Sequence, residues 1–262
     1  MKWIKSILLY FLGFRGLTIT KIEAPRKECD ALEVLLSGVI ALEERITIVQ
    51  VGANDGHYGD PIYKFVMSNK SCTKILLIEP QPDIIKHLED TYEKHQESII
   101  YNGAIGDLDK LSLYRVKPEF WQEFDAPYLK DAPSYRAPSG LTSSSKSHVL
   151  NAAKEYMPSN NNVENVVEEI VVPCKRLAAL VEEIDFDKNI HLLQVDVEGA
   201  DDEVLYACDL DVLSPVMINF ESKHLPAVRK DKLIGYLESL DYTIFECNDS
   251  DTLAVKKSSC SK

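Results

Sequence analysis

Short apolar runs that alternate with helical segments constrain the fold of this 262-residue chain more than any other feature. Ile46–Val51 and residues 74–79 are aliphatic runs of strand length, and a glycine or a proline ends each of them. A segment with helical spacing and an early proline follows each run, at residues 61–67 and 82–94. Strands that alternate with helices need crossover connections, which produce parallel strands covered by helices on both faces. We therefore expect an α/β fold with a mostly parallel, doubly wound sheet.

The rest of the chain continues this pattern and interrupts it once. Further strands are predicted at residues 98–101, 191–196, 216–220, 242–245 and 253–255, and further helices at residues 202–207 and 227–240. Residues 118–165 break the rhythm with five of the twelve prolines, a serine-rich run and three consecutive asparagines. They predict an irregular insertion, either a lid over the carboxyl edge of the sheet or a mobile loop. We expect one domain over residues 46–262, preceded by an N-terminal segment, residues 1–45.

The pattern of residues in the N-terminal segment predicts an amphipathic helix, and it is not typical of a signal peptide. The apolar run that starts the chain is short for a membrane span, Arg15 follows it, and a small-residue cleavage site is missing. Its apolar residues recur at helical spacing beside two lysines. Residues 2–14 are therefore expected to pack on the domain or to make peripheral contact with a membrane surface. The expected location of the protein is cytoplasmic.

Charge and cysteine content exclude some functional classes. The chain has 29 Lys and Arg against 42 Asp and Glu, a formal net charge of -13, which disfavours nucleic acid as a partner. Its six cysteines include no CxxC pair and have no histidine at metal-ligand spacing, so we expect reduced thiols in a cytosolic protein.

Residues that follow the first two strands indicate a nucleoside site. The turn after the strand at 46–51 reads Gly52-Ala53-Asn54-Asp55-Gly56. Glycines in such a turn let the backbone approach an adenosyl cofactor, although an ordinary strand-to-helix loop is the alternative. Glu79 closes the second strand, where a carboxylate can accept hydrogen bonds from both ribose hydroxyls. The dinucleotide fingerprint GxGxxG is not satisfied, because Asn54 and His57 occupy its second and third glycine positions.

Later strand ends add small and acidic residues at the same edge. Residues 102–107 offer small side chains and backbone amides where an adenine ring could lie, although Asn-Gly is also a common turn pair. Asp196 and Glu198 close a strand, and carboxylates there can orient a nucleophile, accept its proton or hold a cation. Glu221 and His224 follow the next strand, although a loop histidine without a catalytic role is the alternative for His224.

Together these motifs resemble the FkbM family of S-adenosylmethionine (SAM)-dependent methyltransferases. The resemblance covers residues 46–246 and is carried by the segments VGANDG at 51–56, IEPQP at 78–82, NGAIG at 102–106, GLTSS at 140–144, DVEGA at 196–200 and NFE at 219–221. It implies a Rossmann-like class I methyltransferase fold and transfer of a methyl group to an oxygen. The implied acceptor is a hydroxyl of a sugar, a glycan or a secondary metabolite.

The resemblance also implies site residues. The cofactor site would comprise Gly52, Ala53, Asn54, Asp55, Gly56, Glu79, Pro80, Asn102, Ala104 and Asp196. Within it, Gly52, Asn54 and Gly56 would line the methionine part, Glu79 the ribose, and Asp196 the methyl-transfer region. Their shared position at strand ends, apart from the resemblance, leads us to predict that Asp196 or His224 acts as base or orienter and that Glu198 and Glu221 position them or the substrate. Catalysis without a metal is expected in preference to a divalent cation held by Asp196, Glu198 and Glu221.

One departure from the family keeps other functions open. Members usually have an acidic residue two positions before the first motif glycine, and Gln50 stands there in this chain. An amide forms hydrogen bonds but offers no charge to the ammonium group of the cofactor. Gln50 is the support for a noncatalytic glycan- or partner-binding protein on the same fold. A nicotinamide-dependent oxidoreductase would use the same crevice but lacks its glycine fingerprint.

Overall fold

The architecture is seen in a computed structural model that describes residues 31–126, 131–158 and 162–257. Its strands in chain order are β1 (Ile46–Val51), β2 (Thr73–Glu79), β3 (Ser98–Asn102), β4 (Ala104–Ile105), β5 (Lys110–Val116), β6 (Val167–Lys175), β7 (Leu192–Val195), β8 (Met217–Glu221), β9 (Tyr242–Glu246) and β10 (Asp251–Lys256). Its helices are α1 (Ala31–Ile40), α2 (Tyr63–Ser68), α3 (Pro82–Tyr92), α4 (Arg136–Gly140), α5 (Lys146–Tyr156), α6 (Val163–Val166), α7 (Leu177–Glu183), α8 (Asp201–Tyr206), α9 (Leu210–Leu213) and α10 (Ala227–Ser239).

Seven strands form the large sheet, in the order β3-β2-β1-β7-β8-β10-β9. Neighbouring strands from β3 through β8 are parallel, whereas β10 runs antiparallel to both β8 and β9. The order reverses between β1 and β7, so the loops after these strands diverge and leave a crevice at the carboxyl edge. The predicted mostly parallel, doubly wound α/β sheet is confirmed.

Each face of this sheet is covered by helices, which explains why its central strands are buried and mostly apolar. All six residues of β1 are buried. Val49 and Val51 pack on one face in a cluster with residues of α7, α8 and α10. Ile46 and Ile48 pack on the opposite face with residues of α1, α2 and α3. The alternation of side chains along a strand therefore divides a single apolar run between two cores.

The predicted strands of the large sheet lie within two residues of the observed ones, but a second sheet was not predicted. It has three strands in the order β4-β6-β5, with β5 and β6 antiparallel. β6 alternates between buried and half-exposed or exposed residues and contains Pro173, so it gives a weaker signal than β1. Helix α7 was also missed.

The insertion at residues 118–165 connects β5 to β6 and is less irregular than its composition predicted. It contains a 3-10 helix, Pro118–Glu123, besides α4, α5 and the start of α6. An apolar cluster of its own, which includes Phe124, Val149 and Val166, packs against Val116 at the end of β5. The burial of these side chains offsets the cost of ordering a segment rich in proline and serine.

Only part of the N-terminal segment belongs to the described structure. Helix α1 packs Leu32, Leu35, Leu36 and Val39 into the core beneath β1. The helix predicted at residues 2–14 lies outside the described residues. Within residues 31–126, 131–158 and 162–257, no helix has the length and apolar character needed to cross a membrane.

Candidate active site

A cavity of about 410 Å³ opens at the carboxyl edge of the large sheet, beside the point where the strand order reverses. Its walls come from the ends of β1, β2 and β7, from residues 103–108 after β3, and from residues 136–144 of the insertion. This volume falls within the range of small-molecule sites. The insertion therefore forms one side of the cavity, while the sheet edge forms the other.

The turn after β1 owes its glycines to packing as well as to ligand access. Gly52 has φ +82°, and a Cβ there would lie 1.8 Å from the carbonyl oxygen of Asp196. Gly56 has φ +66°, and a Cβ there would lie 2.7 Å from side-chain atoms of Leu88 and Tyr92. Gly52 thus allows the loops after β1 and β7 to touch, and Gly56 allows α3 to pack under the turn.

Glu79 joins the turns that follow β1 and β2. It is 2% exposed, and burial raises the pKa of its carboxyl. Its Oε2 accepts a hydrogen bond from the Asn54 backbone N–H at 2.8 Å, and its Oε1 accepts from the Gln81 backbone N–H at 2.8 Å. The Gln81 side-chain amide also donates to Oε1, at 3.2 Å. A carboxylate accepts about four hydrogen bonds, so Glu79 retains capacity for a ligand hydroxyl.

Polar side chains bind the insertion to the same two turns. Ser139 is 2% exposed; its Oγ lies 3.1 Å from the Asn54 side-chain amide, and its carbonyl accepts from Gln81 Nε2 at 3.0 Å. The Thr142 hydroxyl donates to Gln81 Oε1 at 2.7 Å. Residues of the GLTSS segment and its neighbour Ser139 therefore complete the cavity wall that Asn54 and Gln81 begin.

Four carboxyl groups, those of Asp196, Glu198, Asp201 and Glu221, lie near one another at and after the carboxyl ends of β7 and β8. Burial, and after it neighbouring carboxylates, raises the pKa of Asp196 to about 6 and those of Glu198 and Asp201 to about 8. Burial, together with the charge of Asp251, also raises the pKa of Glu221. Asp196 and Glu198 line the cavity. Groups in this state can accept or hold a proton near neutral pH.

Arg136 is a wall residue that the sequence analysis missed. Its Nε donates to the Tyr58 carbonyl at 2.9 Å and lies 3.8 Å from Asp55 Oδ1. Its charge lowers the pKa values of Asp196 and Glu198, against the larger effect of burial. It is the one arginine of residues 118–165, close before the GLTSS segment, and that was the signal available in the sequence.

The predicted site residues fall into two groups. Those on the cavity wall are Gly52, Asn54, Glu79, Pro80, Ala104, Asp196 and Glu198. Those that do not line it are Ala53, Asp55, Gly56, Asn102, Glu221 and His224.

Several residues of the second group support the wall from behind or beside it. Asp55 Oδ1 accepts from the backbone N–H groups of His57 and Tyr58, and the Asn102 amide donates to the carbonyls of Glu79 and Pro80. Glu221 and His224 lie next to Glu198, at the edge of the cavity.

Gln50 also lies behind the wall. It is 2% exposed, and its Nε2 donates to Asp60 Oδ2 at 2.6 Å. Asp60 Oδ1 in turn accepts from the backbone N–H groups of Ile62 and Tyr63 at the start of α2. The residue that departs from the family pattern is therefore engaged in holding a helix terminus.

A sequence comparison shows the family to which this chain belongs. The family model described as "Methyltransferase FkbM domain" matches residues 50–244, which is most of the chain. The chain belongs to the FkbM methyltransferase family. It is therefore a methyltransferase with a Rossmann-like class I fold, and SAM is its cofactor. Among curated proteins, none matches the chain significantly in sequence.

Solved structures resemble this FkbM protein at low sequence identity. An rRNA methylase from Streptococcus thermophilus is 8% identical with a TM-score of 0.45, over 90% of this chain and 100% of its own. Human methyltransferase-like protein 13 in complex with SAH is 10% identical with a TM-score of 0.44, over 89% and 85%. A putative O-methyltransferase from Klebsiella pneumoniae is 9% identical with a TM-score of 0.42, over 97% and 90%. At this level, the substrates of these proteins carry no information about the acceptor of this one.

Proposed function

We propose that this FkbM protein methylates a hydroxyl group of a sugar, a glycan or a secondary metabolite. The observation that carries the proposal is the pair of cavity-lining carboxyl groups, Asp196 and Glu198, whose pKa values are raised to about 6 and about 8. A hydroxyl must lose its proton as its oxygen accepts a methyl group, and a base with a pKa near the working pH is best suited to take it.

The cavity wall fits SAM in its chemistry. Glu79 has hydrogen-bonding capacity left for a ribose hydroxyl, and Gly52 and Asn54 present backbone beside it for the methionine part. Arg136 offers a cation for the cofactor carboxylate, and Ala104 lines the cavity, as a residue beside the adenine would. Tyr206 also lines the cavity and adds an aromatic surface to its wall.

The residues of the chain then have distinct tasks. SAM, when bound, supplies a methyl group already activated by its sulfonium. The protein must align the acceptor oxygen and remove the hydroxyl proton. We assign proton removal to Asp196, because it lines the cavity and its pKa of about 6 leaves it ionised at neutral pH. The neighbouring charge of Glu221 raises this pKa, and Arg136 lowers it.

A variant and an acceptor screen together test the proposal. Labelled methyl transfer to crude sugar and glycolipid extracts identifies the acceptor, and a product stable to mild alkali that releases an O-methyl sugar on acid hydrolysis identifies the bond. Asp196→Asn should lose about 100-fold or more in turnover while SAM binding changes little. The exposed Asp211→Asn is the control and should keep full turnover. Full turnover in folded Asp196→Asn, or a labelled nitrogen, would contradict the proposal.

The competing functions have lost their specific support. The noncatalytic alternative depended on Gln50, and this residue pairs with Asp60 behind the cavity wall. The nicotinamide alternative is replaced by membership of a methyltransferase family.

The cellular setting is proposed from the sequence. We propose a cytoplasmic location, because the cysteine pattern is typical of reduced thiols, and the net charge of -13 disfavours nucleic acid as a partner. Residues 2–14 are proposed either to pack on the domain or to make peripheral contact with a membrane surface. Deleting residues 2–14 should abolish co-flotation with liposomes and leave methyl transfer to a soluble acceptor unchanged. Equal flotation of both forms would contradict the contact.

A further inference from the structure

We propose that Glu198, Glu221 and His224 hold a divalent transition-metal cation at the edge of the methyl-transfer cavity. Each residue offers one ligand atom, and the three atoms lie within 4.8 Å of one another. Glu221 Oε1 and His224 Nε2 lie 3.7 Å apart. Two ligands bound to one cation at about 2.0–2.2 Å stand about 3–4 Å apart, so small side-chain adjustments complete the site.

The backbone brings these three residues together. Glu198 follows β7 in the left-handed region with φ 52°, and Gly199 follows with φ 89°. A Cβ on Gly199 would lie 3.6 Å from the Cβ of His224, so the loops after β7 and β8 are in contact. Glu221 ends β8 itself. The site is therefore built from two adjacent strand ends and does not depend on the insertion.

Unpartnered acceptor atoms independently indicate a missing cation. Glu221 Oε2 is enclosed and has no hydrogen-bond partner among the described residues. The Oδ1 atom of Asp201 has none either, in a side chain that is 0% exposed and accepts a hydrogen bond from the backbone N–H of Gly199, the residue after Glu198. Buried acceptors left without a donor or an ion are rare and costly. A cation bound to the Glu221 carboxylate would supply the partner that its Oε2 lacks.

The charge balance of the cluster points the same way. Among the described residues, the cavity wall carries one cationic side chain, Arg136, against five carboxyl groups, those of Glu79, Asp107, Asp196, Glu198 and Glu203. Arg136 already bonds to the Tyr58 carbonyl and lies near Asp55. A divalent cation would supply the positive charge that this end of the cavity lacks.

The ligand set selects the kind of metal. Carboxylates alone suit Mg²⁺ and Ca²⁺, whereas an imidazole ligand favours first-row transition metals, and a set with two carboxylates suits Mn²⁺. The His224 side chain is 46% exposed, and three protein ligands leave coordination positions open. An acceptor hydroxyl bound there would be oriented and acidified, which makes proton removal by Asp196 easier. This use of the cation rests on the proposed O-methyl transfer, whereas the binding itself does not.

Mn²⁺ binding to the full chain tests the site without SAM or acceptor. After treatment with EDTA and desalting, titration with MnCl₂ should give one site per chain with a Kd of micromolar order. Pulsed electron paramagnetic resonance of bound Mn²⁺ should show coupling to an imidazole nitrogen. His224→Ala should lose that coupling and at least tenfold in affinity, and Glu221→Gln should lose at least tenfold in affinity.

Matched controls keep the result decisive. His87→Ala and the exposed Glu238→Gln change the same residue types elsewhere and should bind Mn²⁺ like the parent. His224→Gln serves as a second variant if His224→Ala does not fold. Absence of Mn²⁺ binding up to 1 mM, or binding that His224 and Glu221 variants leave unchanged, would overturn the proposal. Failure of the methyl-transfer screen would leave this measurement unaffected, so the two proposals fail separately.

Discussion

Asp201 gives the sharpest test of the electrostatics, because its carboxyl is fully buried and only half satisfied. It is 0% exposed; Oδ2 accepts from the Gly199 backbone N–H at 3.3 Å, and Oδ1 has no hydrogen-bond partner among the described residues. Burial, then the charges of Asp196 and Glu221, raises its pKa from 3.8 to about 8. Asp201→Asn keeps the shape and the acceptor for Gly199 but removes the charge. We expect this variant to be more stable than the parent at neutral pH.

The sign and size of the effect follow from proton linkage. Between the unfolded pKa of 3.8 and the folded pKa of about 8, the folded chain binds more protons, so its stability falls as the pH rises. One pKa unit corresponds to about 1.36 kcal/mol, so the penalty at pH 7 is about 4 kcal/mol at most. Because Asp201 is coupled to Asp196 and Glu221, part of this penalty belongs to those groups. We therefore expect Asp201→Asn to raise the free energy of unfolding at pH 7 by about 2–4 kcal/mol. Near pH 4 the two proteins should be almost equally stable.

Urea unfolding of EDTA-treated protein at pH 5 and pH 7.5 measures both quantities. The neighbouring Asp202→Asn is the control, because Asp202 is 4% exposed and accepts from Arg229 Nε at 2.8 Å. Loss of this charged hydrogen bond should destabilise the control by about 1–3 kcal/mol. The reasoning is refuted if Asp201→Asn is no more stable than the parent at pH 7.5, or if its advantage is the same at both pH values.

Two further variants test the wall of the cavity. Gly52→Ala should destabilise the fold by more than about 2 kcal/mol in thermal or urea unfolding, because φ is +82° there and the new Cβ would lie 1.8 Å from the Asp196 carbonyl oxygen. Gly38→Ala is the control, because a Cβ at Gly38 would meet no atom within 4 Å. Equal losses of stability in the two variants would contradict the steric argument. Arg136→Met removes a charge that lowers the pKa values of Asp196 and Glu198. The acid limb of the pH profile of kcat/KM should therefore move up by about one unit, and an unshifted limb would show that Arg136 does not act on the base.

The large sheet could be predicted from sequence because a strand that is buried on both faces is mostly apolar along its length. β1 is a buried run in which four of six residues are aliphatic, and the turn that follows it must contain Gly52 for steric reasons. The pairing of β5 with β6 could not be predicted in this way, because the two strands are about fifty residues apart and β6 is buried at only some positions. Long-range pairing of half-exposed strands depends on tertiary contacts more than on local pattern.

The candidate site divides in the same way. Strand-end residues such as Glu79 and Asp196 could be placed because parallel strands align their carboxyl ends at one edge. Arg136 could not be placed, because its position depends on the path of the insertion across that edge. The sequence also could not show that the side chains of Asn102 and Asp55 form hydrogen bonds with nearby backbone groups.

The hydrogen bonds between the insertion and the sheet edge determine how ligands can enter and leave. Opening the insertion at Ser139 would break its hydrogen bonds to Asn54 and Gln81, and each such bond contributes about 0.5–1.5 kcal/mol. We therefore expect this wall to stay in place during turnover, so that cofactor, acceptor and products enter and leave through the mouth of the cavity. Acceptor range should then depend on the rigid outline of that mouth, and grafting residues 136–144 from a relative should transplant preference without changing the rate of product release.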